Sequence, residues 1–398
     1  MGVINIFQMS HPQHVSYFIK ELQKVLDDDV IDLYFKTKQV LPAACVPICG
    51  IINFLKKKGK NVNIHCDTRS FLKNIHFDEP YKVNEHTDSL AFPFAKIWRF
   101  DSFDEVTKLV NGYLDEIASV IPCSKGLIEG LEWSLNETMD NVLQHSFGGE
   151  GYMMGVVHKN SNYILFSIFD DGQGIFNSMR DSEYHPRTAI DAISIAIQEG
   201  KTRDHNVGQG NGLWGLNNIV LSNKGKLEIT SHGSSLMMKN DGTVVKFTDL
   251  PFIDKKRATT TVNMSFNYAN EVSIIEALGG YIPCDIEYEE KLDGQNALRF
   301  VLSKESTGFG TRIAGERVRN KILNYLQRVE APSSVNVDFD GVSMISSSFA
   351  DEFIGKLIAQ LGFFRFTKLI DITNVSRTVE PILNRSVSQR MAQLYSKK

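Results

Sequence analysis

Three things are scarce in this chain of 398 residues: paired cysteines, an excess of one charge, and long apolar runs. Its five cysteines (Cys45, Cys49, Cys66, Cys123 and Cys284) are odd in number and scattered, which is no disulfide framework and implies a reducing compartment. Lys+Arg 43 against Asp+Glu 47 leaves a formal net charge of −4, so no global pull towards nucleic acid or an anionic membrane is expected. The most apolar stretch, Val40 to Leu55, is broken by Pro42, Pro47, Gly50 and Asn53. It is also shorter than the ~18–20 residues that a bilayer crossing needs. Met1 to Ile6 has neither the basic start of a secretory signal nor the Ser/Thr at position 6 of a myristoylation signal, so a cytoplasmic protein is expected. With 42% hydrophobic and 23% charged residues the composition is globular, which excludes collagen-like, low-complexity and wholly disordered chains.

What is present is alternation. His11 to Leu26 has helical apolar spacing, Val30 to Phe35 alternates as a strand, Val46 to Phe54 reads as a buried helix and Asn61 to His65 as the next strand. Strand–helix–strand with short links implies a parallel sheet. Lys56-Lys57-Lys58-Gly59-Lys60 is expected to close the buried helix by complementing its dipole. Cys45 and Cys49, one helical turn apart, and His65-Cys66 raise a metal site, but buried thiols are the expected outcome because free cysteine is usually core. Polar, aperiodic sequence from Tyr81 to Ser89 places a boundary near residue 90, giving an N-terminal α/β domain over 1–90. Beyond it come a strand (Phe92 to Phe100), two helices (Phe103 to Val120, Gly126 to His145) and strands at Tyr152–His158, Tyr163–Phe169, Lys226–Ser231 and Thr259–Phe266. Phe176 to Val207 reads as a long polar loop, and loops of that length are usually functional.

Three segments carry chemistry. On the second long helix, the spacing of four stacks Glu137, Asn141 and His145 on one face, a carboxylate, an amide and an imidazole in line. Next, the strand ending at Asp170 runs into Asp171-Gly172-Gln173-Gly174, where the glycines let the backbone turn and approach a ligand closely. Last, Gly208-Gln-Gly210-Asn-Gly212-Leu213 precedes a helix, whose N-terminal N–H groups suit a phosphate. The third segment lacks the GK[ST] ending of a P-loop and does not open a βαβ unit, so neither that motif nor the dinucleotide fingerprint fits.

Together the three segments resemble the nucleotide site of the GHKL ATPases: ExxxN matches the N box, DxGxG the first glycine box and GxGxGL the second, with a variable lid between the glycine boxes. The resemblance covers residues 91–270 and implies a Bergerat-type α/β sandwich that binds ATP and Mg²⁺. It implies that Asn141 ligates the metal, that Asp170 accepts the adenine amino hydrogen, and that Gly172 and Gly174 admit the base. Gly208, Gly210, Gly212 and Leu213 would wrap the phosphates, and Glu137 would polarise the attacking nucleophile. Lys201 or Arg203 in the lid would reach the terminal phosphate, and a threonine of Thr259-Thr260-Thr261, Thr260 above all, would support the adenine site. Glu137-xxx-Asn141-xxx-His145 is most similar to the anti-sigma-factor kinases.

A second resemblance lies in the C-terminal domain (285–398). Val337-Asp338-Phe339-Asp340-Gly341-Val342, followed by Ile345 to Glu352, resembles a STAS-like domain, in which a serine at a helix start can be phosphorylated. Ser347 is the matching serine. Ser346 stands where an Asp is usual and Phe349 where a Gly is usual, and serines there also serve simply as helix caps. The expected architecture is thus a central GHKL sandwich flanked by smaller STAS-like α/β domains. Three functions follow: an ATP-dependent conformational switch in protein–protein signalling, a serine/threonine kinase acting on a STAS-domain serine, or a non-catalytic nucleotide-binding adaptor. The expected partners are ATP and proteins recognised through the STAS-like segments, with a homodimer open; nucleic acid and membranes are not expected.

Overall fold

The computed structural model describes every residue except 38, 67–70, 84–91, 93, 146–149, 202–211, 254–257, 282–284 and 397–398. The chain divides into two compact units, one built from 1–88, 92–113 and 130–280, the other from 89–91, 114–129 and 281–398.

The first unit opens with β1 (Gly2–Ile6), α1 (Pro12–Gln23), β2 (Val30–Phe35), α2 (Pro42–Lys57) and β3 (Asn61–Cys66), the strands pairing in parallel in the order β1-β2-β3. Pro42 starts α2 at the position where its missing N–H costs nothing. The lysines at the end of α2 are spoken for: Lys56 pairs with Asp78 at 2.9 Å, Lys57 with Glu150 at 3.0 Å and Asp171 at 3.4 Å, and Lys58 lies over the Phe54 ring. Cys45 and Cys49 are fully buried thiols, Cys45 Sγ lying 3.6 Å from Met154 Sδ. No group of ligands that could hold a metal occurs among the described residues, and Cys284 lies outside them.

An eight-stranded mixed sheet follows. Its strands are β4 (Tyr81–Lys82), β5 (Trp98–Phe100), β6 (Gly151–His158), β7 (Tyr163–Asp170), β8 (Lys226–Ser231), β9 (Ser234–Met238), β10 (Val244–Phe247) and β11 (Thr260–Asn267), in the order β10-β9-β8-β11-β7-β6-β5-β4. The strand expected from Phe92 is confined to Trp98–Phe100. Phe92 instead stacks its ring on Trp98 at 5.0 Å and meets Tyr113 edge-on, so its apolarity serves ring packing and not strand pairing. Between the strands lie α3 (Phe103–Val120), α4 (Leu127–His145), α5 (Gly174–Met179), α6 (Ala189–Ala196) and α7 (Gly212–Ser222).

Side-chain alternation sorts the two faces of this sheet. Phe166 meets the α3 residue Tyr113 ring to ring, whereas its neighbour in the alternation, Phe169, faces Gly50 of α2. A Cβ on Gly50 would stand 2.3 Å from the Phe169 ring, so α2 can lie on β6 and β7 only through a glycine. Gly50→Ala is therefore expected to destabilise the first unit by about 1–3 kcal/mol through overpacking, although alanine is the better helix former by ~1 kcal/mol. A lowered urea midpoint at unchanged slope would be the confirming measurement; a raised midpoint would refute it.

The polar stretch expected to be a long loop between β7 and β8 holds α5 and α6 instead. The signal was present in the sequence. Thr188 and Asp191 form a reciprocal capping box, with Thr188 Oγ accepting from the Asp191 N–H and Asp191 accepting from the Thr188 N–H, ahead of an apolar run.

The second unit holds β12 (Ala297–Val301), α8 (Arg312–Tyr325), β13 (Ser334–Asp338), α9 (Ser347–Ala350), a π-helical turn at Asp351–Gly355, α10 (Lys356–Leu361), α11 (Phe363–Leu369), β14 (Ile370–Thr373) and α12 (Glu380–Ser396). Its sheet is parallel in the order β12-β13-β14, the same sequential arrangement as β1-β2-β3. Leu298, Phe300, Val335, Val337, Phe349 and Phe353 form the centre of its core. Among the described residues no helix is long and apolar enough to cross a membrane.

Candidate functional site

Three neighbouring strands of the large sheet finish at one level. Asp170 ends β7, Thr260 begins β11 and Ser231 ends β8, and the register places Thr260 opposite both Asp170 and Ser231. Directly opposed residues share a face, so the three polar side chains form one row on the α3 side of the sheet. The turn after β7 is stitched to that row. The Gly172 N–H donates to Asp170 Oδ1 at 2.9 Å and the Thr259 N–H to the Gly172 carbonyl at 3.2 Å. Ser231 Oγ donates to the Thr259 carbonyl and accepts from the Ile175 N–H, both at 3.0 Å. Gly174 has φ of +76°, and a Cβ on it would stand 2.9 Å from Ser231 Oγ, so conformation and space both require glycine.

Burial dominates the electrostatics here. Asp170 is 9% exposed, and desolvation, helped by the neighbouring Asp171, pushes its carboxyl up to about 7 against the Gly172 N–H and the Thr260 hydroxyl that favour the charged form. Its neighbour has a different task. Asp171 points the other way, accepting from the Glu150 N–H at 2.9 Å and pairing with Lys57 of α2.

A second group assembles on the helices. Glu137 and Asn141 stand one turn apart on α4, and α7 begins against them: a Cβ on Gly212 would lie 2.5 Å from Glu137 Oε2 and 3.6 Å from Asn141 Nδ2. Gly130 approaches Ile219 and Gly215 approaches Trp133, so the two helices run antiparallel, and α7 packs on β8 and β11. The apolar buried residues of these strands, Leu227, Ile229, Val262 and Met264, alternate in phase with Ser231 and Thr260, so the apolar helix α7 packs on the face that bears that row, and both groups lie on the same side of the sheet. Burial, and secondarily Asp140, raises the Glu137 carboxyl above its usual range. Asn141 Nδ2 is buried with no hydrogen-bond partner among the described residues.

The sequence-derived residues thus fall into place as follows. Asp170, Gly172, Gly174 and Thr260 meet in one cluster, Glu137, Asn141 and Gly212 in the other, with Leu213 half-buried as the second residue of α7. Lys201 sits with its ammonium 4.4 Å over the Tyr184 ring, a cation–π contact between the segments on either side of α6. Gly208, Gly210 and Arg203 lie outside the described residues, as does the side chain of His145, which ends α4. Ser231 is the member that sequence reading missed; no local pattern marks a serine at a strand end as the link between a glycine turn and the next strand.

The residues present fit the group that the resemblance implies. An acceptor carboxylate at a strand end suits an exocyclic amine, and the side-chain oxygen of Asn141, one helical turn from Glu137, is of the kind that a hard cation such as Mg²⁺ takes.

In the second unit, Ser346 is the helix cap, its Oγ accepting from the Phe349 N–H at 3.0 Å. Ser347, the expected phosphoacceptor, is the first helical residue and is exposed. Asp338, at the end of β13, is buried and held below the usual carboxylate range by Asn374, the Asp340 N–H and Arg299.

The molecule is therefore a mixed α/β protein, its second unit a small parallel sheet with helices. Residues 314–380 match a family described as a STAS-like domain of unknown function (DUF4325), so this part of the chain, which contains Ser346 and Ser347, is STAS-like. No curated protein is similar enough to the chain to match it.

Proposed function

We propose that the large sheet and its helices form a GHKL-type ATP-binding domain working as a nucleotide-dependent switch in protein–protein signalling, with the STAS-like segment as the part that meets protein partners. The observation that carries this reading is the convergence of motifs far apart in sequence: Gly212 lies against Glu137 and Asn141, on the sheet face that also bears Asp170 and Thr260.

In this reading Asp170 accepts from the adenine amino group, and Gly172 and Gly174 keep the floor of the site free of side chains. Asn141 holds Mg²⁺, whose chemistry when bound is to neutralise phosphate charge. Glu137 is the base: a carboxylate raised by burial holds a proton more firmly than an exposed one and can take it from a water or a protein hydroxyl. The helices α5 and α6 between the glycine boxes stand in the position of the lid, the element expected to respond to nucleotide.

One observation favours a second reading, phosphoryl transfer to the STAS-like segment. Ser346 does the capping, so the exposed hydroxyl of Ser347 is not needed by the fold. Incubation with γ-labelled ATP and Mg²⁺ separates the two. Release of free phosphate that falls by at least about a hundredfold in Glu137→Ala, as removal of a general base predicts, supports the ATPase switch. Label retained on the protein and lost in Ser347→Ala supports the kinase. Neither signal, with ATP still bound, leaves the adaptor; no bound ATP at millimolar concentration refutes the whole reading.

A further inference from the structure

Behind the row of Asp170, Thr260 and Ser231, on the other face of the large sheet, a lysine of α2 reaches the turn that follows Asp170. Gly50 and Lys57 are seven residues apart on α2, two helical turns, so both lie on the stripe that meets the sheet. Phe169 and Asp171, two residues apart at the end of β7, face that stripe. Gly50 seats against the Phe169 ring, and the same seating brings Lys57 Nζ to 3.4 Å from Asp171 Oδ2 and 3.0 Å from Glu150 Oε2.

The acid is shut in and the cation is not. The Asp171 side chain is 1% exposed, whereas Lys57 keeps 40% of its surface in water. A carboxylate buried to that extent calls for a paired charge and hydrogen bonds. Asp171 Oδ1 accepts from the Glu150 N–H at 2.9 Å. Glu150 in turn accepts from the Tyr152 hydroxyl at 2.8 Å and pairs with Arg99 of β5 at 3.5 Å. Against burial, Lys57, Tyr152 and Arg99 hold the Glu150 carboxyl below its usual range. Asp170, Asp171 and Glu150 thus crowd the start of one turn, with Lys57 and Arg99 offsetting them. Arg99 meets Glu150, and Lys57 bridges Glu150 and Asp171. Adjacent carboxylates repel, and Asp171 is one reason, after burial, that the Asp170 carboxyl lies high. A cation seated on Asp171 opposes that push.

We infer that Lys57 is a positioning residue for ATP: by offsetting Asp171 and Glu150 from behind the sheet, it keeps Asp170 available as the charged acceptor of the adenine amino group. The N-terminal α/β segment is then a working part of the nucleotide site and not an appendage to it. The inference deepens the ATP-binding reading and rests on it.

Two measurements on the full chain test it: calorimetric titration with ATP and Mg²⁺ between about pH 6 and 9, and a carboxyl-carbon NMR titration of the ligand-free protein. The Asp170 resonance is the one absent from Asp170→Asn. Lys57→Met keeps the aliphatic stem and removes the charge. The Asp170 midpoint, about 7 in the wild type, is expected to rise by about one pH unit on loss of a nearby cation. At pH 7 that lowers the ionised fraction, and ATP affinity with it, about fivefold; by pH 9 the loss should nearly vanish. Lys57→Arg should retain the wild-type profile, and Lys56→Met, whose lysine pairs with Asp78, should change neither reading. Asp171→Asn added to Lys57→Met removes the charge that the lysine offsets, while its Oδ1 can still accept the Glu150 N–H. Midpoint and affinity should then return to the wild-type values. A purely structural lysine would instead give a pH-independent loss of affinity, an unmoved Asp170 midpoint and no recovery in the double variant, and that result overturns the inference. Wild-type behaviour of Lys57→Met overturns it too and leaves the ATP-binding reading standing. A wild-type chain that binds no ATP overturns both together.

Discussion

Asp170→Asn is expected to make the ligand-free protein more stable and, at the same time, a much weaker binder of ATP. The carboxyl of Asp170 is pushed up to about 7, chiefly by burial. Between pH 4 and 7 the folded protein keeps a proton that the unfolded chain has already lost. Its stabilising contribution is therefore full below about pH 4 and is lost as pH rises to about 7. Ionising it in place costs up to ~4 kcal/mol more than ionising it in the unfolded chain. An asparagine avoids that cost while its Oδ1 can still accept the Gly172 N–H, so a gain of about 2–4 kcal/mol at pH 8, shrinking towards pH 4, is expected in urea titrations.

Binding should move the opposite way. With Oδ1 committed to Gly172, the asparagine presents an N–H₂ to the adenine amino group, donor against donor. The lost charge-assisted hydrogen bond and the new mismatch are expected to weaken ATP binding by about a hundredfold, near 3 kcal/mol. Wild-type affinity should also tighten as pH rises from 6 to 8, because the amine favours the ionised acid, and this dependence should vanish in the variant. Calorimetry at three pH values measures both. Greater stability with unchanged ATP affinity would leave Asp170 a purely structural acid and remove the adenine contact from the proposal.

The second large effect belongs to the other unit. Asn324 of α8 is buried and closes the end of α3: its Nδ2 donates to the carbonyls of Ala118 and Ile121, both at 2.8 Å, and its Oδ1 accepts from the Cys123 N–H at 2.6 Å. One turn earlier, Asn320 Nδ2 donates to the Ser119 carbonyl at 3.1 Å. The last carbonyls of a helix have no partners within it, so these amides do the work of a C-terminal cap. Asn324→Ala would strand two carbonyls and one N–H out of water, each worth about 1–3 kcal/mol. A loss of about 3–5 kcal/mol is expected for the second unit, read as an earlier unfolding transition of the full chain. Asn324→Asp should not rescue it, since a carboxylate cannot donate to either carbonyl. A loss below 1 kcal/mol in the alanine variant would mean that water replaces the amide.

How much of this was legible beforehand varies by element. Periodicity places Val30–Phe35, Phe103–Val120 and Lys226–Ser231 at the bounds that the structure has: the helix carries an apolar stripe and both strands alternate apolar residues, although Asp32 of the first strand is buried too. The strands Ser234–Met238 and Val244–Phe247 escaped. The first is buried on nearly every residue and the second is exposed on three of four, so neither alternates in the way that marks a half-buried strand. The helix Glu380–Ser396 was also missed; its apolar residues are sparse.

For the candidate site, residue types and their spacing along the chain were enough to single out Glu137, Asn141, Asp170, Gly172, Gly174 and Gly212, since glycine at a turn and polar groups at intervals of four are local signals. Convergence was not local. That Gly212 must be a glycine because Glu137 lies against it, that Ser231 ties the turn at Gly174 to the strand at Thr260, and that Asp170 and Asp171 face opposite sides of one sheet all depend on pairing register and helix packing. The same holds for Ser346 and Ser347: both stand at a helix start in the sequence, but only the backbone path decides which hydroxyl reaches back to Phe349 and which is left exposed. A chain written in one dimension specifies which groups are available; desolvation, and with it the raised carboxyl of Asp170, exists only once distant segments have closed over them.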